Sequence, residues 1–164
     1  MKWFLAAAAA LVIAAFFFWQ RDTVKTAYVN GLPEYSSLPN KEFLFQTDCY
    51  IFKFKDRNTA WPLVGTRATV PSLPAEIDEK NIGAELPDVR IMDVVRTGAR
   101  FKLISVRRDQ SRQGTSITFE ILFMDEADRK YPRLDAFYLL DHTPEKQGAP
   151  PIFLESHVVP RVRK

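Results

Sequence analysis

The chain has one cysteine among its 164 residues, two histidines and six glycines. A lone thiol, Cys49, cannot close an intramolecular disulfide, so a domain built for an oxidising compartment must stand on its hydrophobic core. A lipid-modified N-terminus is excluded too, because its cysteine would end the apolar leader, and Cys49 comes far later. Two distant histidines, one cysteine and scattered carboxylates do not make up the three or four ligands of a zinc site. No Gly-x-Ser-x-Gly, phosphate-cradling glycine loop or dinucleotide fingerprint occurs. No cofactor and no metal are therefore expected. Charge of one sign is also missing. After Lys2 the chain carries 22 basic and 20 acidic residues, a net of +2, too balanced to favour nucleic acid as a partner.

What is present begins at the N-terminus. Met1 and Lys2 precede seventeen residues, Trp3 to Trp19, with no charged or strongly polar side chain. As a helix this run spans roughly 26 Å, close to a hydrocarbon core of about 30 Å. It is apolar on every side, unlike an amphipathic core helix. Cleavage as a signal peptide needs small residues at −3 and −1, and Phe16-Phe17-Phe18-Trp19 offers none; cleavage after Ala14 would leave that aromatic block on the new terminus. Trp3 and Trp19 bracket the run as an interfacial belt. The expectation is a transmembrane helix acting as an uncleaved signal-anchor over residues 1–19, with membrane contact through Trp3, Phe16, Phe17, Phe18 and Trp19. A cleaved signal and a secreted periplasmic protein are the alternative. Basic residues flank both sides (Lys2; Arg21, Lys25), so orientation rests on the short N-terminus staying inside while the large domain is exported. Residues 20–164 are then placed in the periplasm of a bacterial cell, outside the inner membrane.

Residues 20–42 read as a tether, broken by Gly31-Leu32-Pro33, Ser36-Ser37 and Pro39-Asn40. Residues 43–142 read as one β domain, and residues 143–164 as a proline-containing basic tail. Tyr50, Phe52 and Phe54 alternate with Ile51, Lys53 and Lys55. Four prolines break residues 61–87. Arg67–Val70 reads as a short strand, and Pro74–Gly83 as one helical turn. Val89–Val95 is a strand, Arg96-Thr97-Gly98-Ala99 a tight turn, and Arg100–Arg108 the next strand, with Phe101 and Leu103 on one face and Ile104 and Val106 on the other. Asp109–Gly114 is a polar hairpin loop. In Thr115–Met124, Ile117, Phe119, Ile121 and Phe123 share a face, leaving Thr118 and Glu120 on the solvent side. Leu134–Leu140 and Ile152–Val159 add short elements. Such spacing predicts a mainly β fold, a small antiparallel barrel or sandwich. The layout over residues 48–142 (strand, glycine turn, strand, polar loop, long strand, short closing element) resembles the SH3-like barrels of bacterial envelope proteins, which implies a barrel used for binding.

Seven cations, Arg90, Arg96, Arg100, Lys102, Arg107, Arg108 and Arg112, face only Asp93 and Asp109 within residues 90–112. A cationic patch outside a membrane suits an acidic envelope protein, anionic lipid or acidic glycan; it also serves as edge-strand protection. Arg96, Arg100, Lys102, Arg107, Arg108 and Arg112 are the expected partner-binding residues, and replacing Arg107, Arg108 and Arg112 by serine is expected to spare the fold. The expected function is protein binding: a non-catalytic accessory protein of a cell-envelope assembly. Two rivals stand beside it. One is a periplasmic immunity or inhibitor protein acting on a toxin. The other is a cell-wall hydrolase or transferase using Cys49 or the carboxylates of Glu76–Glu79.

Overall fold

The computed structural model of the chain describes residues 24–57, 59, 61–111, 114–125, 130–144 and 149–161. The expected anchor, with Trp3, Phe16, Phe17, Phe18 and Trp19, lies outside the described residues, as does Arg112. No helix among the described residues is long and apolar enough to cross a membrane.

The fold is mainly β. In chain order the strands are β1 (Lys25–Tyr28), β2 (Glu42–Phe45), β3 (Cys49–Phe54), β4 (Leu63–Gly65), β5 (Val89–Val95), β6 (Arg100–Ser111), β7 (Gly114–Phe123), β8 (Leu134–Asp135), β9 (Leu140–Asp141), β10 (Ile152–Phe153) and β11 (Val158–Pro160). The named helical elements among the described residues are 3-10 turns at Glu79–Asn81 and Phe137–Leu139. The main sheet runs β11-β2-β6-β7-β8-β4-β3-β5, with β1 on β6 beyond β2; β9 and β10 pair separately. The path does not close on itself.

Arg96–Ala99 is the expected tight turn, with Ala99 N–H on Arg96 C=O at 3.1 Å, but it does not close a hairpin. β5 and β6 are not neighbours; β5 lies on β3 and β6 on β2. The partners keep one register across both gaps: Glu42 opposite Lys102, Phe45 N–H to Ala99 C=O, Gly98 N–H to Phe45 C=O, Cys49 opposite Val95. Residues 42–54 and 89–102 thus form one long antiparallel ladder that bends in both strands at the same level. Gly98, at φ 89°, takes the left-handed conformation at this corner. Asp48 ties the corner together, accepting from Thr97 N–H at 2.7 Å, Thr97 Oγ1 at 2.8 Å and Arg96 Nη1 at 2.7 Å. The Thr97 N–H and the Arg96 guanidinium hold the Asp48 carboxyl below the usual carboxylate range.

Bending folds the ladder over its own core. Phe43, Phe45, Phe101, Leu103, Phe119, Ile121 and Leu134 belong to one cluster, and Tyr50, Phe52, Leu63, Val89 and Ile91 to a second. The phase of β6 changes within the strand. Its register on β7 slips between Leu103 and Ser105. Val106 therefore joins Phe101 and Leu103 in the core instead of sharing the opposite face with Ile104, which stays half-buried.

Segments outside the expected β domain are built into it. β1 lies along β6, and residues 29–41 cross beside it in hydrogen-bonded turns with Val29 and Tyr35 buried. The described part of the expected tether is thus sheet and packed turn. Likewise the short element expected at Ile152–Val159 within the tail is present as β10 and β11, which pair with β9 and β2. Arg67–Val70 is a turn, and the short strand stands earlier, at β4.

Candidate functional site

Two surfaces hold chemistry beyond plain packing. The first is the face of β7 opposite the large core. Glu120, expected to face solvent, is fully buried there. Its Oε2 accepts from Ser105 Oγ at 2.6 Å and Arg133 Nη1 at 3.1 Å; its Oε1 accepts from Tyr28 OH at 3.2 Å and stands 3.5 Å from Arg107 Nη1. Arg107 Nη2 reaches Asp135 at 2.8 Å and Asp109 at 3.0 Å. Asp135 Oδ1 also accepts from Thr118 Oγ1 at 2.6 Å and Phe137 N–H at 2.9 Å. Each carboxylate lies in low dielectric with a cation and neutral donors, the condition under which burying charge is tolerable. β6, β7 and β8 supply most of these groups, and β1 adds Tyr28. A cavity of about 310 Å³ opens beside them, lined by Tyr28, Asn30, Ile104, Ser105 and Arg133.

The second is an apolar groove. β10 returns along β9 and lays Phe153 over the open end of the large core, its ring centroid 4.7 Å from Phe43, 5.3 Å from Phe119 and 5.6 Å from Phe101. The chain turns at Leu154–His157 and descends as β11 beside β2. Between them lies a groove of about 480 Å³ with Phe43, Phe119, Phe153, Ile152, Val158 and Pro160 among its lining. Lys41, Glu42, Glu155 and Arg161 also line it, with Arg161 Nη1 paired to Glu42 at 3.1 Å. Acid and base are balanced, so an uncharged apolar occupant suits it.

Three of the six expected partner-binding cations are internally paired. Arg96 bridges Asp48 and Glu79, Arg100 pairs with Asp125, and Arg107 is the centre of the buried network. Arg107 cannot be a free surface cation, and its loss would strand Asp135 and weaken the hold on Glu120. Among the described residues Lys102 and Arg108 make no ion pair or side-chain hydrogen bond; Arg108 lines a separate open depression with Glu34 and Tyr35.

The groups of the enzyme rival are also placed. Cys49 is wholly buried, and burial, helped by the Asp48 charge, pushes its thiol up to about 12. A thiolate nucleophile is not populated there at neutral pH. Glu79 is taken by Arg96, and the Glu76 backbone carbonyl accepts from Tyr50 OH at 2.7 Å. His157 is buried, with Nε2 3.0 Å from Thr66 Oγ1 and Nδ1 2.8 Å from Ser156 Oγ; burial lowers its pKa below the ordinary histidine value. His142 packs its ring on Phe137 and donates from Nε2 to the Phe137 carbonyl at 3.2 Å. No group of three or more potential metal ligands occurs among the described residues.

Sequence reasoning misses Tyr28, Ser105, Arg133 and Asp135 as one cluster, and Phe43, Phe153 and Ile152 as one groove. The available signal for the first is Glu120 itself, a charge in the middle of an otherwise apolar strand. No family model, curated protein or solved structure gives a match to this chain.

Proposed function

We propose that this chain is a non-catalytic accessory subunit of a bacterial envelope assembly. It is held in the inner membrane by residues 3–19 and uses a periplasmic β domain of SH3-like layout to take an extended, uncharged apolar segment of another envelope protein into the Phe43–Phe119–Phe153 groove. The observation that carries the binding part is this groove: aromatic, open, and rimmed by charges of both signs. The bent ladder of residues 42–54 and 89–102 supports the barrel-like layout. The buried thiol of Cys49 and the internally bonded Glu79 support binding over catalysis. The pairing of Arg96, Arg100 and Arg107 moves the expected contact from the cationic patch to the groove.

The test uses a photoreactive phenylalanine analogue at Ile152, which is 54 % exposed beside the groove. The full chain is irradiated in native membranes, with the same analogue at exposed Lys53 as control. The expected result is a discrete adduct at position 152 that is lost when Phe153→Ala is added and absent at position 53. Equal labelling at both positions, or recovery of the full chain in the soluble fraction, would overturn the reading.

A further inference from the structure

A sheet whose end strands carry free N–H and C=O groups invites another strand. Among the described residues β11, β5 and β1 stand at the ends of this sheet, and the first two are closed. On β11 the Arg161 N–H bonds Glu42 C=O and Gln46 N–H bonds His157 C=O, so residues 158 and 160 point outward. Val158 N–H is used by Leu154 C=O, and Pro160 has no N–H. On β5, Gly83 N–H bonds Ile91 C=O, Ile91 N–H bonds Ala84 C=O and Leu86 N–H bonds Val89 C=O, while Tyr131 OH reaches the Met92 carbonyl at 3.3 Å. Among the described residues β1 has no such cover. All four of its residues are exposed, it contains no proline, and its register on β6 is regular from Lys25–Gln110 to Tyr28–Arg107. Val29 N–H bonds Val106 C=O, which sets the alternation: residues 25, 27 and 29 bond β6, while Thr26 and Tyr28 turn their N–H and C=O outward. Thr26 Oγ1 on Asp109 (2.7 Å) and Tyr28 OH on Glu120 hold the strand in place for this.

We infer that β1 is a homodimerisation edge, pairing antiparallel with β1 of a second copy about a two-fold axis at Ala27. Only this register lets the outward groups of Thr26 meet those of Tyr28 of the partner subunit. It puts the small Ala27 against its own copy and Lys25 opposite Val29 of the partner subunit, so no like charges face each other. The occupant is a second copy because β1 begins one residue after Val24, where the N-terminal portion of the chain joins the domain. On the membrane reading proposed above, on which this step rests, the strands of two neighbours stand at the same height and at raised effective concentration.

Cysteine crosslinking of the full chain in membranes tests the register. Native Cys49 is buried and gives the background. In a non-hydrogen-bonded antiparallel pair Cα atoms stand about 4.5 Å apart, within disulfide reach. Ala27→Cys is expected to form a disulfide dimer under mild oxidation at least tenfold faster than Thr26→Cys or Tyr28→Cys alone, whose like positions are offset at about 7–8 Å. Co-expressed Thr26→Cys and Tyr28→Cys chains are expected to crosslink to each other. Adding Thr26→Pro, which removes an outward N–H, is expected to abolish the Ala27→Cys dimer. Equal rates at 26, 27 and 28, or a freely labelled, monomeric Ala27→Cys in the membrane fraction, would overturn the dimer. A soluble chain that still crosslinks at Ala27 when concentrated would overturn the membrane reading and leave the dimer standing.

Discussion

The two faces of β7 are built on opposite principles. One carries Ile117, Phe119, Ile121 and Phe123 into an aromatic core, where Phe101 meets Phe43 at 5.5 Å, Phe45 at 4.8 Å and Phe153 at 5.6 Å between ring centroids. Its attraction is non-directional and scales with area removed from water. The other face buries Thr118 and Glu120 against Ser105, Arg107 and Asp135. Here each group depends on a named partner at hydrogen-bond distance, and losing one leaves another stranded. An alternating strand can therefore be buried on both sides, provided the polar side is satisfied. The apolar side supplies stability, and the polar side fixes where β1 and β8 attach.

The comparison can be broken first at the aromatic side. Phe101→Ala is expected to lower unfolding free energy by about 4 kcal/mol, read as a shift in the urea midpoint at unchanged slope. A loss below about 1 kcal/mol would mean that these rings repack freely. On the polar side, Glu120→Ala is expected to cost about 3 kcal/mol, because Arg107 and Ser105 lose a buried acceptor. Glu120→Gln should recover part of that loss. A change within about 0.5 kcal/mol, the range of an ordinary surface position, would show that the face is solvated after all. Arg107→Ser should resemble Glu120→Ala, whereas Arg108→Ser should be silent; similar urea curves for the two arginine variants would contradict the placement of Arg107 in the network.

The third contrast is one of pH. His157 has a folded-state pKa below its ordinary value, so the unfolded chain binds the proton more readily. Its contribution to stability is complete above the unfolded value of about 6.5 and is lost as pH falls through that value toward the folded one. Thermal midpoints should decline from pH 7.5 to 5.5, and His157→Gln should flatten this slope; an unchanged slope would put the proton elsewhere. The smallest effect is expected at the surface: Arg100→Ala breaks its pair with Asp125 but should leave the urea midpoint where it was, since exposed pairs are screened and hold two mobile side chains.

Much of this molecule is legible in its sequence. Val89–Val95 and the inward face of β7 follow from a period of two, and the mainly β fold follows from the spacing of short strands. The misreadings share one physical cause. The tight turn at Gly98 is legible and present, but a turn can close a hairpin or bend a shared ladder, and only the pairing partner tells these apart. A bulge between Leu103 and Ser105 reverses in and out for the remainder of β6, so Val106 enters the core against the simple alternation. β1 reads as tether because four residues carry too little periodicity to register as a strand, whereas a short element in Ile152–Val159 is legible and only its pairing partners are not. Arg107 reads as a surface cation because its counter-charges, Glu120 and Asp135, lie 13 and 28 residues away in the chain.

Local pattern was enough for the class of fold, the strands long enough to show a period, and the apolar N-terminal run, since each of these depends on neighbouring side chains alone. Tertiary structure decided the corner, the buried charge network, the groove beneath Phe153 and which sheet edges are closed. These arise from pairings between distant segments, and the side a residue faces is settled by what is packed against it.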